Sequence, residues 1–432
     1  MGIKTMNFIS TRNKNIYSSL AEAIRLGMPE DGGLYVPEYL PKVNLDALAS
    51  VANYSEFAAL VLKDFFAGDV LAEQLSTLCQ KAFDFSMPLE KINDNTFMLE
   101  LFHGPTLSFK DFGARFLAEC FNVLSQNKKM TILVATSGDT GSAVAAAFYR
   151  KNVNVIIFYP AGKISPRQEQ QITCWDENIL ALAVNDNFDD CQHIVKSAFN
   201  DPWWQTKLNL STANSINIGR LLPQITYYAY TSLKFFQAHQ VQPGFIVPSG
   251  NLGNVTAAYW AKLMGFPLRE IVIASNANRV ISDYLASSQY QPRASLQTLA
   301  NAMDVGNPSN FERLNYLFDS FKLFKENVQA FSVTDEEIKK SIKDFYQRYQ
   351  KIICPHTATA CSVRNQLSEK PWIVVATADP CKFETAIESL LQQKIAPSPQ
   401  LQAMLSRPSH AINVSNKMDD IKKLIEGYFK KS

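Results

Sequence analysis

From residue 131 the chain alternates strand, turn and helix, and this alternation constrains the fold more than any other feature. TILVA at 131–135 is continuous, apolar and partly β-branched, as a buried strand should be. The glycine turn TSGDTGS (136–142) and the small-residue helix AVAAAFY (143–149) follow it. A second strand, VNVIIFY at 153–159, leads to a helix with Ser165 as N-cap and Pro166 as its first residue. After the strand ILALAV (179–184), residues 188–199 set Phe188, Cys191, Ile194, Val195 and Phe199 at helical spacing. The theme returns in GFIVPSGNLGNVTAAYWAKLMG (244–265), in EIVIA (270–274) and in WIVVAT (372–377). Repeated βαβ units predict an α/β protein with mostly parallel sheets and right-handed crossovers.

A chain of 432 residues that is 47% hydrophobic is too long for one compact layer stack. Two open α/β subdomains facing a cleft are expected, with ligands at the carboxyl ends of the strands. The predicted division is a mixed, helical N-terminal layer over 1–92, a smaller α/β subdomain over 93–205 and a larger one over 206–432.

Composition removes several function classes. A formal charge of +2, with Lys and Arg scattered, gives no basic stripe for nucleic acid, so a small polar substrate is expected. Seven cysteines without a C-x-x-C pair, and five dispersed histidines, predict free thiols in a reducing cytoplasm and no metal site. The N-terminus lacks a signal-peptide pattern, and no apolar run approaches the roughly 20 residues that a bilayer requires. A soluble cytoplasmic protein, monomeric or a small homo-oligomer, is the expectation.

Both glycine turns sit where a strand enters a helix, so each can offer unpaired backbone N–H groups to an anion. In PSGNLGN (248–254), Gly250 and Gly253 permit close backbone approach, and Ser249, Asn251 and Asn254 add side-chain donors. A phosphate suits this loop. TSGDTGS carries Ser137, Thr140 and Ser142, but its Asp139 disfavours a phosphate and is expected to cap its own helix. Neither turn is a Walker motif or a dinucleotide fingerprint.

The stretch HGPTLSFKDFGARF (103–116) poses a separate question. Ser108 and Asp111 have capping-box spacing, with Phe112, Phe116, Cys120 and Leu124 following at i+4, so Lys110 falls in the first helical turn. An ammonium gains nothing from the dipole at that end. Either Lys110 snorkels to solvent over Phe109, or it is a desolvated amine able to form a Schiff base with an aldehyde such as that of pyridoxal phosphate. NSINIGR (214–220) places Asn214, Ser215, Asn217 and Arg220 in one polar turn, either a clamp for a carboxylate or phosphate or a capped helix with a surface arginine. Thr377 ends the last strand and is expected to face the cleft.

The motifs HGPTLSFKDFGARF, TSGDTGS, GKISPRQEQQI (162–172), NSINIGRLLPQITYY (214–228) and PSGNLGN together resemble the threonine synthase family. The form resembled has an extended N-terminal region with stretches like ISTR and PEDGGLYVPE, and the resemblance runs from about residue 8 to the end. It implies a fold type II pyridoxal-phosphate enzyme, like the tryptophan synthase β chain, that converts O-phospho-L-homoserine and water to L-threonine and phosphate. It further implies that Lys110 is the Schiff-base lysine. Ser249, Gly250, Asn251, Leu252, Gly253 and Asn254 would hold the cofactor phosphate, and Thr377 the pyridine nitrogen. Ser137, Thr140, Asn214, Ser215 and Arg220, with Lys163, would meet the substrate. The family pattern T-A-H-P-A-K-F reads TADPCKF here, so Asp379 stands in place of a histidine and Cys381 in place of an alanine. Two rival readings are a phospho-lyase of the same fold giving a 2-oxo acid, and a non-catalytic binder of phosphorylated metabolites.

Overall fold

The computed structural model describes residues 5–126, 129–136 and 138–429. Its strands form three sheets. Near the N-terminus, Tyr17–Ser18, Phe8–Ser10 and Tyr35–Pro37 make a small antiparallel sheet. The larger sheet runs, in spatial order, Gln329–Ser332, Ile271–Ser275, Gly244–Pro248, Trp372–Ala376, Thr96–Glu100 and Leu89–Asn93. All of its neighbours are parallel except the last pair. The smaller sheet, wholly parallel, runs Ile412–Val414, Ile179–Val184, Val153–Pro160, Met130–Ala135 and Leu210–Thr212.

Because side chains alternate along a strand, each of the two parallel sheets has two buried faces. Ile132, Val134, Val155 and Ile157 of the smaller sheet share one continuous core with Phe245, Val247, Ile273 and Ile373 of the larger. Their neighbours in sequence face the other way. Leu133, Ile156 and Leu180 pack under helices containing Ile194, Trp204 and Ile421, while Ile246, Val272 and Val374 pack against Ile338, Ile342 and Ala358. Burial on both faces is why these strands read as unbroken apolar runs. The long helix Ile218–His239 runs through the shared core, with the helix Lys110–Leu124 packed on it.

Sheet membership departs from the expected boundaries at 93 and 206. Thr96–Glu100 lies between strands of the larger sheet, whereas Leu210–Thr212 and Ile412–Val414 complete the smaller one. Parallel strands need only a crossover, not adjacency in sequence, so the chain passes between the two units more than once. The N-terminal layer is built as expected from short strands and helices. Its helix Tyr54–Leu62 packs on the long central helix, where the Tyr54 and Thr226 hydroxyls meet at 2.6 Å. Among the described residues no helix is long and apolar enough to cross a membrane.

Candidate active site

Chain segments that leave the carboxyl ends of parallel strands converge on one cavity, among them those after Glu100, Ala135, Thr212, Pro248 and Ala376. The first and last of these are fastened together. Phe109 N–H donates to the Thr377 carbonyl at 2.8 Å, Asp379 N–H donates to Leu107 O at 3.0 Å, and Ser108 bridges to Ala378. Lys110 and Thr377, remote in sequence, are thereby held in the same wall.

Lys110 is the first residue of its helix, as predicted, but the capping box is not formed. The N-cap residue is Phe109, with no side-chain cap, and Ser108 Oγ is buried without a partner. Leu107, at φ 60°, turns the chain so that the Asp111 carboxylate reaches back to Thr106 N–H (2.9 Å) and Thr106 Oγ1 (2.6 Å). Lys110 does not snorkel to the outer surface; it opens into the cavity. Burial, aided by the positive charges of Arg220 and Lys382 and opposed by Asp139, lowers its pKa to about 8. An amine so perturbed is a usable nucleophile near neutrality.

Asp139 does not cap its helix either. Its Oδ1 meets Lys382 Nζ at 2.8 Å and accepts from Gln168 Nε2 at 3.0 Å, with Asp139 and Lys382 both buried. Burial alone would raise its pKa, but Lys382 and Lys110 outweigh that and hold it below the usual carboxylate range. Lys382 also donates to Thr106 O at 2.8 Å. Asp379, in place of the family histidine, accepts from Cys381 N–H at 2.8 Å and so caps the short turn that presents Lys382.

The loop 248–254 bends through Leu252, which adopts a left-handed conformation (φ 62°) at the start of the helix Gly253–Met264. Gly250 is required by space, since a Cβ there would lie 2.6 Å from the Met303 Cα. No acceptor among the described residues meets the backbone N–H groups of Gly250 to Asn254. Asn254 accepts from the Tyr227 and Tyr228 hydroxyls at 2.6 and 2.7 Å, which leaves its Nδ2 buried and unpartnered. Asn251 lines the cavity and also braces the loop: its Nδ2 donates to Ser215 Oγ (2.7 Å) and its Oδ1 accepts from Ser309 N–H (2.6 Å).

Thr140, Asn214, Ser215 and Arg220 line the same cavity, with Ser215 bonded to the loop through Asn251. Arg220 is buried, not a surface arginine. It donates from Nη1 to Ala213 O at 2.6 Å while Nε has no partner, and burial lowers its pKa to about 10, so it stays cationic at neutral pH. The Ser215 hydroxyl accepts from both Asn251 and Asn310, which leaves its own proton free to donate. The Asn214 amide bridges to Ala135, donating to its carbonyl at 2.8 Å. Lys163 is exposed on the loop after the strand Val153–Pro160 and does not line the cavity. Ser137 lies outside the described residues.

Sequence reasoning missed other wall residues, among them Gln192, Gln224, Met303 and His356. It also missed Arg313. This residue is fully buried and donates to Tyr35 O (2.9 Å), Ser215 O (3.0 Å), Ile216 O (2.6 Å) and Asn310 Oδ1 (2.8 Å). Nothing in the local sequence marks these positions; their partners come from other segments.

The cavity has the parts that pyridoxal phosphate needs. They are an enclosed amine of lowered pKa, a backbone cradle for a phosphate at a helix start, and a hydroxyl at a strand end. A family model described as pyridoxal-phosphate dependent enzyme matches residues 80–378, so the chain belongs to that class. Models for the threonine synthase N terminus and C-terminal region match 7–83 and 355–425. A threonine synthase of Serratia marcescens is 38% identical over 98% of this chain and 99% of its own length. The crystal structure of threonine synthase from Escherichia coli superposes with a TM-score of 0.92 at 35% identity, covering 98% of this chain and 99% of that one. The pyridoxal-phosphate-bound threonine synthase of Brucella melitensis superposes with a TM-score of 0.91 at 31% identity, covering the same shares. The chain is a member of the threonine synthase family.

Proposed function

We propose that this enzyme converts O-phospho-L-homoserine and water to L-threonine and phosphate. The observation that carries the reading is the convergence, on one cavity of a threonine synthase family member, of Lys110, the 249–254 loop and the Arg220 clamp. In this reading Lys110 holds the cofactor through Nζ, Ser249 to Asn254 hold its phosphate, and the Thr377 hydroxyl meets its ring nitrogen. Bound pyridoxal phosphate supplies a carbonyl for amine capture and a ring that takes up negative charge from the substrate carbons.

With the substrate bound, Lys110 Nζ would move protons at the substrate α- and β-carbons. Its lowered pKa makes it a base and an acid of nearly matched strength. Arg220 lines the cavity with no carboxylate partner among the described residues, which supports a contact between its guanidinium and a substrate anion. The free proton of Ser215 supports a second contact, with Thr140, Asn214 and Ser137 completing the set. Binding at a distance from the reacting carbons orients them and holds the leaving phosphate. The smaller unit would thus carry substrate contacts and the larger one the cofactor-phosphate loop. The buried free thiols support a cytoplasmic setting.

The test is to incubate the purified, cofactor-loaded protein with O-phospho-L-homoserine and assay phosphate, threonine and 2-oxobutyrate together. Threonine equal to phosphate is expected. Phosphate released with 2-oxobutyrate would reassign the enzyme to elimination, and no product would leave only binding.

A further inference from the structure

His356 is the second residue of the helix Pro355–Arg364, in a stretch, CPHTATA, to which no role has yet been attached. Its ring is 3% exposed, lies 4.8 Å from the Phe383 ring and forms part of the cavity wall with Lys110, Asp139, Thr377 and Met303. Nε2 accepts the Ala302 N–H at 3.1 Å. That bond puts the lone pair on Nε2, so the single proton of the neutral ring resides on Nδ1. Burial, with Lys110 and Lys382 acting in the same sense and Asp139 opposing, lowers the pKa of the ring to about 4, and the neutral form persists at physiological pH. Nδ1 is buried and has no partner among the described residues.

A buried N–H without an acceptor is costly and rare in a native protein, and at a cavity wall a ligand can supply the missing acceptor. We infer that His356 contacts the bound cofactor, donating a hydrogen bond from Nδ1 to an acceptor atom of pyridoxal phosphate. The surroundings favour the cofactor over the substrate. His356 holds Ala302, and the adjacent Met303 packs against Gly250 of the phosphate loop. Thr377, which lines the same cavity, is the residue expected to meet the ring nitrogen. The inference rests on the reading of Lys110 and the 249–254 loop as the cofactor site.

Two substitutions separate the roles of the two ring nitrogens. In His356→Asn the amide nitrogen falls near the Nδ1 position and keeps the donor but loses the acceptor for Ala302. In His356→Gln the amide oxygen reaches the Nε2 position and keeps that acceptor but loses the donor. Equilibrium binding of pyridoxal phosphate to the cofactor-free proteins, followed by absorbance, is measured beside their thermal melts. Gln is expected to weaken binding about tenfold with an unchanged melting temperature, and Asn to stay within about threefold of wild type. Wild-type affinity in Gln, or equal loss in both variants, would overturn the inference. So would unchanged cofactor affinity with weakened binding of O-phospho-L-homoserine, which would transfer the contact to the substrate. A Lys110→Ala control tests the underlying reading separately: equal affinity in wild type and Lys110→Ala would remove the cofactor site itself.

Discussion

Lys110 stands at the positive end of its helix, in an enclosed wall and near two other cations, three influences that all disfavour its protonated form. With a pKa of about 8, roughly a tenth of the amine is neutral at pH 7, against well under a thousandth for an ordinary lysine. The association rate of pyridoxal phosphate with the cofactor-free protein should therefore rise about tenfold from pH 6 to 7 and level off above about pH 8. Stopped-flow absorbance would check this, and a rise continuing to pH 10 would show an unperturbed lysine. The position of Lys110 in a first turn was legible in the sequence, because the aromatic i+4 pattern begins there. Its electrostatics were not. Asp139 and Lys382, which share its wall, come from segments that only the fold brings together.

At the scale of elements, strands and helices of the two parallel sheets follow the pattern of apolar runs and glycine turns closely, since double burial and strand-to-helix turns both leave direct marks in composition. Helix Pro166–Thr173 starts after the N-cap Ser165 with Pro166 first, as its sequence predicts, and a capping box with Gln168 completes it. Capping at 108 and 139 failed for one shared reason: a stronger local or tertiary partner took each carboxylate. The 248–254 loop reads as an anion site in the sequence, but the space beside Gly250 is taken by Met303, contributed by a remote segment. Gly250→Ala should push the loop against the Met303 backbone, weaken cofactor affinity at least tenfold and cost about 1–3 kcal/mol of stability. Cofactor titration with urea unfolding would check it; wild-type affinity would show that the loop can move aside.

Across the whole molecule, Arg313 ties the N-terminal layer to two separate segments of the 206–432 region. It reaches the N-terminal sheet at Tyr35, the Ser215 turn of the clamp, and Asn310 beside the phosphate loop. Burial lowers its pKa to about 9, with Glu312 opposing, so it remains charged at neutral pH. Arg313→Met should leave four acceptors, two of them fully buried, without their donor and destabilise the protein by about 3 kcal/mol. Because Ser215 is among the groups it positions, the KM for O-phospho-L-homoserine should rise as well. A urea melt and steady-state kinetics would test both effects, and lost stability with an unchanged KM would confine Arg313 to a structural role.

What the sequence by itself determined is local and periodic: the βαβ alternation, the glycine turns at strand ends, and a lysine opening an aromatic helix. These follow from short-range sterics and from which face of an element is buried. Only the tertiary structure decided which strands share a sheet, that Lys382 neutralises Asp139, and that His356 and Arg313 enter the site and its support. Each of those depends on contacts between segments far apart along the chain. A parallel sheet fixes them through its crossovers, which residue spacing does not encode.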